Sequence, residues 1–71
     1  MTERQFELLL ELTSIRADAV KAAMRAVMVD GETQRVAAEK HGVNPAQLSI
    51  RLGVLRRADG IVSELAAFYQ K

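Results

Sequence analysis

The chain has 71 residues, 49% of them apolar and 27% charged, with no cysteine and a formal net charge of +1. That length holds one domain, residues 1–71, because a second would need roughly another 100 residues. Without cysteine, neither a disulfide nor a thiolate zinc site can supplement so small a core, so self-association is the cheapest supplement left.

No apolar run approaches the ~20 residues of a membrane span. The acids Glu7 and Glu11 interrupt the N-terminal apolar stretch in a way that a signal peptide would not. The expectation is a soluble intracellular protein with no membrane partner. The near-neutral total hides a segregation of charge. Between Thr33 and Arg57 the bases Arg35, Lys40, Arg51, Arg56 and Arg57 face a single acid, Glu39, while the rest of the chain is net acidic. A basic segment inside an acidic domain is the footprint expected of a phosphate-binding surface.

Helical periodicity runs along the whole chain, and β-type alternation is nearly absent, so the fold class is all-α, with about five helices. The first spans about Glu3 to Leu12, with Phe6, Leu9 and Leu10 on one face and Leu8 and Leu12 widening it. The widened stripe is either plain core or a subunit contact. Thr13 and Ser14 are N-cap candidates for a second helix, in which Val20, Met24 and Val27 recur at helical spacing and which Asp30-Gly31 ends. Its polar face carries Asp18, Lys21 and Arg25, a solvated surface or a minor phosphate contact.

Thr33 to Leu55 is the informative segment. Thr33 caps a short helix, Gly42 makes a sharp turn, and Asn44-Pro45 sets an N-cap residue before a proline at the first helical position, where its missing N–H costs nothing. Ala38 supplies the small residue needed where two helices cross, Val43 plugs the turn, and Leu48, Leu52 and Leu55 form an apolar stripe. Together they specify a helix-turn-helix. Gly53 inside the second helix marks either local tolerance, close approach of the backbone to DNA, or a helix end. A final helix is expected from about Asp59 to Tyr69, capped by Asp59 and separated by a break at Gly60. Its face of Ile61, Leu65, Phe68 and Tyr69 closes the core or pairs subunits. With Leu8 and Leu12 it makes up the candidate interface of a homodimer or homo-oligomer.

In a helix-turn-helix the start of the second helix enters the major groove, and the first helix sits over the backbone. Gln47 is the leading base-reading candidate, since a carboxamide pairs bidentately with adenine. Asn44 shares that chemistry or is consumed as the cap. Ala46 and Ser49 lie on the same stretch, and Ile50, off the leucine stripe, suits contact with a thymine methyl. Thr33, Gln34 and Arg35 open the first helix, where side chains and N–H groups meet phosphate. Arg51 snorkels from the core edge to phosphate or is simply solvated. Arg56 and Arg57 add phosphate attraction or form an ordinary solvated face.

His41, the only histidine, reads as a helix-end residue, because a metal site around it would need carboxylates alone. There is no phosphate loop, nucleophile elbow or paired acidic site, so no catalytic residue, cofactor, metal or small-molecule substrate is expected. The competing reading is a helical protein-protein interaction module that uses Leu8, Leu12, Phe68 or Tyr69 and does not bind DNA.

Val29-Asp30-Gly31 through Leu55, with Glu39-Lys40, Asn44, Ser49, Leu52 and Leu55, resembles the PapB-type regulators of adhesin and fimbrial operons. So do the closing Leu65-Ala66-Ala67-Phe68-Tyr69, the Leu12 to Ile15 run, and Met24. Val29-Asp30-Gly31, Gln34, Gly42 and Ser49 are also similar to the KorA/TrfB-type plasmid repressors. Either resemblance implies a transcriptional regulator of the bacterial cytosol, associated with the nucleoid, that binds double-stranded DNA as a dimer or oligomer. The PapB type further implies A·T-rich DNA and a link to the minor groove.

Overall fold

Four helices follow one another in the computed structural model, which describes residues 1–69: α1 (Glu3–Glu11), α2 (Asp18–Met28), α3 (Gln34–His41) and α4 (Pro45–Tyr69). The first begins in a capping box. The Thr2 hydroxyl accepts the Gln5 N–H at 3.1 Å while the Thr2 N–H donates to the Gln5 side chain at 2.9 Å, satisfying two otherwise orphaned donors.

Thr13 and Ser14 do not cap α2. The Thr13 hydroxyl donates to the Leu10 carbonyl at 2.8 Å and accepts the Ile15 N–H at 3.4 Å, so it closes the end of α1. The next helix starts five residues later, at Asp18, with extended Ala17 at its cap and no side-chain cap bond. A hydroxyl after a helix can bond back to that helix or cap the next one; here the earlier carbonyl holds it.

Arg25 ties the first two helices together. Its Nε donates to Glu3 at 2.6 Å and its Nη1 to Asp30 at 3.0 Å, and Lys21 pairs with Asp18 at 3.6 Å. The polar face of α2 is therefore engaged in ion pairs within the chain. The bond from Arg25 holds the Glu3 carboxyl below its ordinary range, and the Arg25 guanidinium is raised in turn.

The core is small-residue-rich where helices cross. Ala23, Ala37 and Ala38 are buried with Met24, and Phe6, Leu9, Val20, Ala26 and Val43 join them around the stripe of Leu48, Leu52 and Leu55, which water does not reach. Short side chains let α2 and α3 approach closely, while α1 lies across α2 and α4.

The largest departure from expectation is α4. It runs unbroken from Pro45 to Tyr69, so the described residues hold four helices where about five were expected. Neither an Asp59 cap nor a break at Gly60 is present. A helix already nucleated upstream adds a hydrogen bond per residue, and that continuation outweighs the ~1 kcal/mol by which one glycine disfavours it. Gly53 lies inside the same helix and is not its end. At ~1.5 Å per residue, α4 accounts for most of the 44 Å long axis of the molecule.

Candidate nucleic-acid interface

α3 ends at Gly42, which takes φ 65°, ψ 34°, a left-handed conformation that costs a residue with a Cβ atom ~1 kcal/mol or more. The Val43 N–H donates to the Ala38 carbonyl at 2.9 Å and the Gly42 N–H reaches Glu39 at 3.4 Å, so the turn satisfies the last carbonyls of α3. These bonds also direct Val43 inward, where it is buried against the core. The chain then reverses into α4 within Gly42, Val43 and Asn44.

Asn44 is the cap of α4. Its carboxamide oxygen accepts the N–H of Ala46 at 2.9 Å and of Gln47 at 3.2 Å, while Pro45 has no N–H to satisfy. That occupies the side-chain oxygen and gives Asn44 the capping role expected of it in the sequence. Thr33 behaves alike at α3, where its hydroxyl accepts the Val36 N–H at 3.2 Å. The main-chain N–H groups of Gln34 and Arg35, by contrast, have no acceptor among the described residues, as the first turn of a helix dictates.

Opposite the leucine stripe, the first turns of α4 present a continuous outward surface. Ala46, Ser49, Ile50, Gly53, Arg56 and Arg57 recur at three- and four-residue intervals and are all exposed, with Gln47 exposed and Arg51 half-buried on its flank. Ile50 is 65% exposed, although it lies between two residues that are fully buried. Packing within the chain does not explain an isoleucine there. Thr33, Gln34 and Arg35 form a second group at the start of α3, with Gln34 half-buried; Arg35 makes a loose 3.6 Å pair with Glu39 in which both side chains remain largely exposed. Val36 on α3 and Val54 on α4 are also exposed apolar residues, and the sequence pattern alone singles out neither.

The sequence-expected interface residues fall at the other end of the molecule. Leu8 and Leu12 line an open groove with Gln5, Leu9, Glu11, Asp59 and Val62, between α1 and α4. Beyond it the C-terminal stretch of α4 carries exposed Ile61, Leu65, Phe68 and Tyr69, the two aromatic rings 83% and 80% exposed. No helix is long and apolar enough to cross a membrane, and no cluster of three or more potential metal ligands occurs among the described residues.

Comparison with known proteins agrees with this architecture. The crystal structure of Escherichia coli FocB superimposes with a TM-score of 0.92 and 37% sequence identity, covering 99% of this chain and 80% of that one. The major pilus subunit operon regulatory protein PapB of Escherichia coli is 35% identical over 69 residues, which are 97% of this chain and 66% of PapB. The family of adhesin biosynthesis transcription regulatory proteins matches residues 1–69. With that match across nearly its whole length, the chain belongs to the PapB family of adhesin biosynthesis transcription regulatory proteins.

Proposed function

We propose that this chain regulates transcription by binding double-stranded DNA, with α3, the Gly42 turn and the start of α4 acting as a helix-turn-helix. The observation that carries the reading is the two-sided first half of α4. Three fully buried leucines fix one side, and Ala46, Gln47, Ser49 and Ile50 stand exposed on and beside the opposite one.

A helix held that firmly presents its outward side chains to a groove with little loss of entropy on binding. Gln47 reads an adenine edge, Ile50 meets a thymine methyl, and Ala46 and Ser49 allow the helix to lie close to the bases. Arg35, Arg51 and Arg56 supply phosphate contacts, joined at α3 by the free N–H groups and the side chain of Gln34, and Arg57 lies at the edge of that surface. Thr33 and Asn44 act in the caps, holding the two helix starts in place.

The preference proposed is for A·T-rich duplexes, and the working location is the nucleoid of the bacterial cytosol. The exposed Leu8, Leu12, Ile61, Leu65, Phe68 and Tyr69 support assembly into a homodimer or larger homo-oligomer, since a domain this small gains much by covering them.

Titration of an A·T-rich duplex at two salt concentrations tests the reading. Affinity should fall steeply as salt rises, in keeping with release of several counterions. No binding at low salt, or binding indifferent to salt, refutes it. Competition with a ligand that fills the minor groove then assigns the groove.

A further inference from the structure

The exposed apolar residues of α4 follow a stricter pattern than an apolar helix end requires. Val54, Ala58, Ile61, Leu65 and Phe68 are spaced by four, three, four and three residues, the repeat of a coiled-coil seam. Val54, Ile61, Leu65 and Phe68 are exposed, and Ala58 is half-buried at the edge of the core. Arg57 and Glu64 border this seam on one flank, one heptad apart. Both are exposed, and neither has an ion-pair partner among the described residues.

We infer that α4 pairs with α4 of a second copy as a short antiparallel coiled coil, in the register that sets Arg57 against Glu64 of the second copy. This rests on the homo-oligomeric reading above and specifies its geometry.

Self-complementarity selects the direction. Run antiparallel, the seam places Ala58 opposite Ile61 and Val54 opposite Leu65, so these four central layers each join a smaller residue to a larger one, as close packing favours, while Phe68 falls opposite the half-buried Arg51 at either end. The same register brings Arg57 to Glu64 twice, once on each side of the two-fold axis. Run parallel, Ala58 meets Ala58 and Phe68 meets Phe68, giving uneven layers. Arg57 and Glu64 would then face Val62 and Tyr69, and both charges would lack partners. An antiparallel register shifted by one heptad brings Glu64 against Glu64.

Two further features fit. The axis of the favoured register passes between Asp59 and Gly60, so at ~1.5 Å per residue the two Leu48 positions stand about 35 Å apart, close to one turn of B-DNA. The opposite flank of the seam carries Val62, which lines the groove with Leu8 and Leu12, so the pairing also brings apolar surface of α1 toward the contact.

Introduced thiols test the direction, because the chain has no cysteine of its own. Val54→Cys and Leu65→Cys chains, mixed and oxidised, should give a mixed covalent dimer, with little linkage of either variant to itself. Self-linkage of each variant alone overturns the inference while leaving homo-oligomerisation intact. A monomeric sedimentation profile of the unaltered chain at high concentration overturns both. Arg57→Glu and Glu64→Arg should each weaken association by roughly tenfold without changing helix content, and the double exchange should restore it. No restoration overturns the register.

Discussion

The carboxamide oxygen of Asn44 accepts the main-chain N–H of Gln47 at 3.2 Å, so the capping residue holds in place the start of the helix whose outward side chains are proposed to read bases. The Asn44 oxygen is held in the cap, while Gln47 is left exposed as the proposed reader. Asn44→Ala should lower the free energy of unfolding by about 1 kcal/mol, seen in chemical denaturation. Gln47→Ala should leave stability within about 0.5 kcal/mol yet reduce discrimination between matched and mismatched duplexes by about 1–3 kcal/mol.

The glycines are expected to divide by conformation. Gly42 needs its left-handed φ, so Gly42→Ala should destabilise the fold by about 1–2 kcal/mol. Gly60 is helical, and a Cβ built on it meets nothing within 4 Å. Gly60→Ala should therefore raise stability by about 0.5–1 kcal/mol, with thermal unfolding separating the two cases.

Leu52 is a severe test of the core. Fully buried between the turn and the free half of α4, it has no water-accessible surface to lose. Leu52→Ala should cost about 2–5 kcal/mol, a large part of the stability of so short a chain, and urea unfolding measures it.

Acid should act through the clasp between α1 and α2. The bond from Arg25 lowers the Glu3 pKa below its ordinary 4.5. The contribution is therefore complete above the unfolded-state value and disappears as pH falls through the lower folded-state one. Glu3→Gln should destabilise the protein at neutral pH, and the difference from the unaltered chain should vanish in strong acid when thermal midpoints are compared across the titration.

Phosphate binding should show in the salt slope. Arg51→Ala and Arg56→Ala should each weaken binding about equally on all duplexes and flatten the dependence of log K on log salt by about 1 for every phosphate no longer neutralised. An unchanged slope would remove that arginine from the interface.

Much of the fold was legible because Thr33, Gly42, Asn44, Pro45 and the leucine stripe are local instructions: each acts on groups within a few residues, so spacing alone conveys it. The capping box at Thr2 and Gln5 is equally local, and its residue pattern is visible in the sequence, although the expectation above did not include it. Thr13 misled because one hydroxyl can serve the helix behind it or the one ahead, and three-dimensional geometry makes the choice. Gly60 misled because the penalty of one residue is local, whereas helix continuation sums over neighbours such as Arg57, Ala58, Leu65 and Ala66, which favour it. At the candidate interface, the exposure of Ile50 beside buried Leu48 follows from helix phase. That Asn44 spends its side chain on its own backbone became visible only in the folded chain.

The unbroken course of α4 has a mechanical consequence. A single rod about 37 Å long joins the surface around Gln47 to the aromatic end at Phe68 and Tyr69, with no joint between them. Twist applied where the far end is gripped is delivered, almost undiminished, as a change in the azimuth at which the near end faces outward.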